Sequence, residues 1–462
     1  MKKKSGKGSF LKGAAIIAGG GFLAKIIGAV YRIPLTNLIG GYGLGLYQMV
    51  YPFYCLLLTV SATGIPSSIA SLTAERVSRG ESDQPLLKTS LKLFLTIGFF
   101  GTLLMAGLAP LLAKAQGERL TGGYIALAPS VLLVSAISVF RGWFQGRNRM
   151  TPTAVSEILE QVVKVGFGLL FAYLYRGNTL KAVVFLLLAV SISELIALFF
   201  MWICYRRVPA PFENLKDGSR VGVKRILKRS IPVAFNSGLI PLSGLIDSVL
   251  IVRLLEKYTS EAVALYGLFA GGAVTVINLP VSICYGVAAA SIPAVGSAKA
   301  KGGSRRKRVM FSLLVTLMIA IPSAIGLFLF AEPAVGIIFR SLKGGEKQTL
   351  VELVKTFAVS AVFLSGLQTL SACLTAQGKP QYAALSMTIA VAVRIPLTVW
   401  LVKNPKLNIF GAAIATNVSY LLAFALDLLY NLLITKKKKG ESEDDHGSRT
   451  RRGRRGFDEK GA

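Results

Sequence analysis

Long apolar runs, each about the 20 residues that a helix needs to cross the ~30 Å hydrocarbon core of a bilayer, recur from one end of this 462-residue chain to the other. Such runs leave few folds open. In lipid each backbone N–H and C=O must find its partner inside the element, so the runs become helices. Twelve are read, near 10–37, 44–74, 87–113, 122–143, 153–175, 181–205, 226–252, 263–295, 309–331, 350–376, 382–402 and 407–435. Only 16% of the residues are charged, below the level of a soluble domain, so lipid is the solvent of the whole chain rather than of one anchor. The first run is not read as a cleavable leader. It is too long, carries Lys25 and Arg32, lacks a small-x-small exit and is followed at once by another run.

A formal charge of +31 would point to nucleic acid in a soluble protein. Its distribution points elsewhere. Of the 53 Lys and Arg, about 36 fall on the side of the N-terminus and about eleven on the other, a bias that predicts both termini in the cytoplasm. The basic leader and loops are then topology signals that meet anionic lipids, and no nucleic-acid partner is expected. Cys55, Cys204, Cys284 and Cys373 all fall inside spans without metal-ligand spacing and read as packing residues. The single histidine, His446, lies in a polar tail. No metal, no cofactor and no catalytic residue are expected.

The second half echoes the first. With Phe10 laid on Ile226, Leu11-Lys12 falls on Leu227-Lys228 and Gly28 on Gly244; Leu46-Tyr47 opens the second span as Leu265-Tyr266 opens the eighth. Gln145-Gly146 before span five is matched by Gln377-Gly378 before span eleven. Six spans per half make a parallel repeat about an axis along the membrane normal. The expected organisation is an N-terminal six-helix lobe over 1–215, a C-terminal six-helix lobe over 216–435, divided within the loop 206–225, and a disordered basic tail over 436–462.

Charge inside a span is costly and marks a cavity, a partner or the interface. Lys25 and Arg32 lie seven residues apart on one helix face, about 10 Å along the axis, a spacing that suits the two phosphates of a pyrophosphate. Snorkelling to the interface is the alternative. Glu157, Glu160 and Lys164 share span five, and Glu160 and Lys164 have the spacing of an intrahelical ion pair. Glu194, Arg394 and Asp427 stand singly in spans six, eleven and twelve, as ion-coupling groups or structural pairs. Asp247 in span seven faces the expected lobe interface and is placed to neutralise Lys25 or Arg32 in one conformation. Pro34, Pro66, Pro232, Pro241 and Pro280, beside the Gly19-Gly20-Gly21 and Gly271-Gly272 runs, are expected hinges, because broken helices at matching places in two repeats mark a transport pathway. Close packing at glycine is the plainer reading.

Several segments carry a family resemblance: GFLAKIIGAVYRIPLTNLIGGYGLGLYQMVYPFY, the GIP of span two, FRGWFQGRNRMTPTAVSEILEQ and LTAQGKP. Together they resemble the stage V sporulation protein B branch of the lipid-linked precursor flippases, in the multidrug/oligosaccharidyl-lipid/polysaccharide exporter superfamily. The resemblance implies two six-helix lobes and alternating access. It also implies a helix-one cation, matched by Lys25. Where the lipid II flippases carry a second helix-one arginine this chain has Tyr31, with Arg32 next door, and their helix-eight arginine falls near Thr275.

The expected function is therefore a flippase in the bacterial cytoplasmic membrane that moves a polyprenyl-pyrophosphate-linked saccharide or peptidoglycan precursor, with Lys25, Arg32, Tyr31 and Asp247 at the substrate. Cell-envelope synthesis machinery is the expected protein partner. With no GxxxxGK[ST] loop for ATP, membrane potential or an ion gradient would drive it. A cation-coupled multidrug antiporter of the same superfamily is the alternative, then a membrane glycosyltransferase or polymerase. A non-transporting scaffold of the envelope machinery is a third.

Overall fold

The computed structural model describes residues 6–61, 65–118, 120–208, 223–296 and 304–455. Helices account for nearly all of them: α1 (Gly6–Ser61), α2 (Ile65–Ser78), α3 (Gln84–Ala115), α4 (Thr121–Gly146), α5 (Thr151–Leu174), α6 (Thr179–Arg206), α7 (Val223–Leu255), α8 (Ala262–Gly267), α9 (Val274–Gly296), α10 (Arg305–Leu329), α11 (Ala331–Ile338), α12 (Gly344–Ala376), α13 (Pro380–Val402) and α14 (Asn408–Arg455). A π-helical turn, Leu268–Ala273, joins α8 to α9 without a break in direction.

Nine stretches among the described residues are long and apolar enough to cross a membrane. The first of them, Gly19–Thr59, holds two expected spans, because α1 turns at Gly40 (φ 66°, ψ −176°). Two further expected spans, α5 and α7, fall outside the nine. In α5 the reason is Glu157, Glu160 and Lys164 within a single crossing length. The fold is all-α and multi-pass, with about twelve spans.

Local signals start and stop the helices where the sequence allows. Proline stands in the first turn of α3 and α5, where its missing N–H costs nothing. Asn178 Oδ1 accepts from Lys181 N at 3.0 Å to cap α6. Gly117 and Gly378, both at positive φ, close α3 and α12.

Irregular backbone among the described residues does not fall on the prolines expected as hinges. Pro34 lies inside α1, six residues before the turn, which falls on Gly40. Pro66 occupies the first turn of α2, and Pro241 and Pro280 sit within continuous helix. The side chain of Pro232 lies outside the described residues. On the eighth span the irregularity is the π-turn containing Gly271-Gly272, one of the glycine runs singled out above. Proline in a packed helix loses one hydrogen bond that neighbours replace, whereas the Gly40 conformation needs the left-handed region that glycine enters freely.

Packing divides the chain into two units. One comprises Met1–Thr275, Glu332–Leu353 and Val399–Gly411; the other comprises Val276–Ala331, Val354–Thr398 and Ala412–Ala462. This is not the division expected at 215/216, since α7, α8 and the π-turn pack with the first half. The loop residues 209–222 lie outside the described ones. The backbone of α14 continues past the last span to Arg455, and residues 456–462 of the expected tail lie outside the described ones.

In the first unit α4 is the hub. Its Ala, Ser and Gly residues let α2, α3 and α6 approach, and Trp143, Phe144 and Ile137 join Ile69, Phe94 and Met201 in one apolar core. By contrast α3 turns Phe99, Phe100, Leu103 and Leu104 outward, the face a lipid-exposed helix presents. The first limb of α1 lies along α5: a methyl added at Gly20 or Gly28 would meet Ala154 or Gln161, and Tyr31 reaches Gly168. Both sets of numbers rise together, so the two helices run parallel, as two odd-numbered spans must.

Contacts also repeat reciprocally. Arg32 of the first span reaches Thr275 of the eighth. In return, Gly244 of the seventh abuts Pro52 of the second, and Gly238 faces Thr59. Gly45 and Gly267, which flank the matched Leu-Tyr pairs, press backbone on backbone.

Candidate functional site

Arg32 is the cation around which the first unit's polar groups gather. Its guanidinium Nη1 donates to Thr275 Oγ1 at 2.5 Å, and that hydroxyl donates to Gly271 O, also at 2.5 Å, on the π-turn. The wider π-turn displaces carbonyls from the regular ladder and makes such a contact available. Arg32 is only half-buried, and it forms no ion pair among the described residues. A neutral hydroxyl orients the guanidinium, and its remaining donors meet no partner among the described residues.

A tyrosine ladder leads away from it. Tyr47, Tyr51 and Tyr54 lie at i, i+4 and i+7 on one face of the second limb of α1. Tyr47 and Tyr51 stack with centroids 5.2 Å apart, and Tyr51 and Tyr54 follow at 5.6 Å. Arg32 is close enough for its charge to be felt at Tyr47, Tyr51 and Cys55. At the far end Tyr54 Oη donates to Glu194 Oε1 of α6 at 2.5 Å, and both residues are buried.

The third side is α5. Lys164 lies within electrostatic range of Arg32, Cys55, Glu160 and Glu194. The expected Glu160–Lys164 pair is not what forms. Glu160 Oε2 is bound by Arg141 Nη2 of α4 at 3.1 Å, and Arg141 Nε also donates to Ser156 Oγ at 2.9 Å. Helix rotation turns Glu160 toward α4, and the neighbouring guanidinium, planar and forked, outcompetes an ammonium on the same helix. Lys164 is thereby left outside any ion pair among the described residues.

The other expected site residues scatter. Lys25 lies on the same unbroken limb of α1 as Arg32, with its side chain outside the described residues. Tyr31 is buried in the α1–α5 seam with its hydroxyl against Gly168, a packing position. Asp247 is buried on α7 but is not paired with Arg32. Next to it Ser248 Oγ accepts from Gln116, whose amide also donates to Met49 O at 2.8 Å. Glu157 points toward Gly21 of α1. In the other unit Arg394 is half-buried on α13, and Asp427, fully buried on α14, accepts from Ser371 Oγ at 2.5 Å.

Sequence reading missed Arg141 and the tyrosines, and it placed Thr275 only opposite an arginine of the lipid II flippases, not beside Arg32. Only the tyrosines had a signal, their helical spacing. It also missed a clamp at the end of α4, where Arg147 binds Asp83 with two 2.7 Å bonds and lies 4.1 Å over Trp143.

A multi-pass helical membrane protein, with a half-buried cation and tyrosines inside its first unit, is the class that fold and site define. Residues 10–299 match the family model described as polysaccharide biosynthesis protein, and the chain belongs to that family. A second model, MatE, matches residues 232–400. The chain is similar to stage V sporulation protein B of Bacillus subtilis (strain 168), 26% identical over 425 residues that cover 88% of this chain and 81% of that protein. It is also similar to lipid II flippase MurJ of the same organism, 23% identical over 460 residues, 94% of this chain and 83% of that one. Among solved structures, an inward-facing multidrug resistance MATE family transporter of the MOP superfamily superposes with a TM-score of 0.76 at 17% identity, covering 90% of this chain and 96% of the other. Lipid II flippase MurJ in an inward closed conformation gives 0.70 at 14% identity, covering 90% and 87%. These two likenesses carry the fold.

Proposed function

We propose that this chain is an alternating-access flippase that carries a polyprenyl-pyrophosphate-linked saccharide or peptidoglycan precursor across the bacterial cytoplasmic membrane, with both termini in the cytoplasm. The observation that carries the reading is Arg32, a half-buried guanidinium oriented by a neutral hydroxyl instead of a carboxylate. Family membership and the named flippase among the relatives support the same class of cargo. Arg32 and Lys25 grip the pyrophosphate from α1, Lys164 adds charge from α5, and the tyrosine ladder offers ring faces and hydroxyls to the first sugars. Asp247 and the prolines at 34, 66, 232, 241 and 280 serve the movement between states.

No bond of the cargo is made or broken, so the protein acts as a transporter and not as an enzyme. Envelope-synthesis enzymes supply the cargo on one side and consume it on the other. Anionic lipids meet the basic loops. A pair of cations beside the site opposes the multidrug reading, since a cationic drug would be repelled there.

The test is reconstitution in proteoliposomes with a fluorescent polyprenyl-pyrophosphate disaccharide. Neutralising Lys25 and Arg32 together lowers flipping by about 100-fold or more, two charge-assisted bonds being lost. Lys164→Gln alone lowers it by about tenfold. Full transport by the double variant would remove this site from the mechanism.

A further inference from the structure

We infer that a groove between α10 and α12 is a binding site for one anionic glycerophospholipid, with an acyl chain between the two helices and the phosphate on Lys355. The groove has a volume of about 430 Å³ and lies wholly within the second unit.

The two helices are zipped at one end and apart at the other. Toward the start of α10, Val309 and Leu313 pack with Leu370 and Cys373 of α12 in one apolar cluster, and Thr316 bonds Thr369 at 2.7 Å. Beyond Pro322 small side chains replace those contacts: Ala324 of α10 and Ala358 of α12, both buried, form the floor of the groove. Ile325 and Phe328 stand over it on one side, Val359 and Val362 on the other. The gap is kept open because α12 is tied to a different helix. Asn417 of α14 donates to Thr356 O at 2.8 Å and accepts the hydroxyl bond of Ser360.

Length and charge together select the occupant. From Ile321 to Leu329 the α10 wall rises about 12 Å, close to the ~15 Å that one leaflet of a ~30 Å hydrocarbon core provides. A partner helix that crossed the membrane would need a face more than twice as long. At its inner end the groove is shut by the Thr316–Thr369 contact, so a chain much longer than one leaflet would have to leave it.

Lys355 stands at the open end, about 10 Å nearer the membrane surface than Val362 on the same helix. It is the one charged residue of the lining among the described residues. It is exposed and forms no ion pair among them. Glu352, one turn further out, accepts from Gln348 Nε2 at 3.5 Å. An ammonium within a span is costly until it reaches an anion or the interface. Snorkelling lifts that of Lys355 to the headgroup level directly above the groove, where a lipid phosphate satisfies it. A zwitterionic headgroup brings its own cation and gains less. The basic loops meet anionic lipids through many exposed charges, whereas here a single lysine works with a shaped apolar wall.

The test uses the purified full-length protein in nanodiscs of phosphatidylcholine doped with phosphatidylglycerol whose acyl chain carries a photoreactive diazirine. Labelling is expected on peptides covering residues 321–329 and 355–362. It should exceed labelling by diazirine phosphatidylcholine about fivefold, the worth of one lysine near an anionic headgroup. Lys355→Gln should remove this preference and Lys355→Arg should keep it; both replace an exposed side chain and leave the packed floor intact. Equal labelling of the groove by the two lipids overturns the inference, as does a preference that survives in Lys355→Gln. Labelling abolished by unlabelled polyprenyl phosphate but not by unlabelled phosphatidylglycerol would give the groove to the cargo's lipid and overturn it too, and so would cross-links between two copies of the chain in place of lipid. The readout does not involve transport, so a flippase reading that failed in proteoliposomes would leave it unchanged.

Discussion

In the unit built on Met1–Thr275 charged contacts between helices, Arg141 to Glu160 and Arg147 to Asp83, stand beside neutral ones such as Gln116 to Ser248 and Ser130 to Ser191. In the unit that contains Val354–Thr398 the polar contacts are mostly neutral. Thr316 bonds Thr369 at 2.7 Å, Ser360 bonds Asn417, and Gln377 bonds Asn431 at 2.8 Å. The two units thus hold their helices together with different mixtures of polar contacts. Neutral pairs hold helices together in lipid at little cost and little gain, near 0.6 kcal/mol each on average. Charged ones are expensive to bury, so a unit that keeps them gains something other than stability, and the surroundings of Arg32 and Lys164 are where that gain is sought.

This contrast can be broken by substitution. The largest effect is expected from Arg141→Ala, which leaves Glu160 without its partner. Thermal unfolding in detergent should show a loss of about 3 kcal/mol, and Glu160→Gln in the same chain should restore part of it. Unchanged unfolding would mean that Lys164 takes over the pair, which would also remove a cation from the proposed site. Arg147→Lys comes next. It keeps the charge but gives up the bidentate contact with Asp83 and the planar stacking on Trp143, a loss of about 1–2 kcal/mol. The smallest effect belongs to the neutral unit, where Thr316→Val should cost about 0.6 kcal/mol. A cost there as large as that of Arg141→Ala would erase the distinction between the units.

Much of the fold was legible in the linear order of residues. Spans three, four, six, nine, ten and eleven begin and end within a few residues of expectation, because run length against bilayer thickness needs no knowledge of neighbours. The site was less legible. Arg32 was recognisable as a cation deep in a span, and Glu194 and Asp427 as isolated acids. Nothing in their local sequence named Thr275, Tyr54 or Ser371 as partners, because these lie 243, 140 and 56 residues away. The Glu160–Lys164 pair shows the reverse error, in which correct helical spacing suggested a contact that another helix had already claimed.

Hydrophobic run length and the asymmetry of Lys and Arg are properties of a string. Run length sufficed for an all-α membrane protein of about twelve spans, and the asymmetry of Lys and Arg for an expected side of each loop. Which face of each helix meets which neighbour depends on rotation about its axis and on what packs opposite. Three outcomes therefore came only from the folded arrangement: the turn of α1 at Gly40 instead of Pro34, the capture of Glu160 by Arg141, and the hydroxyl-bound acids at Glu194 and Asp427.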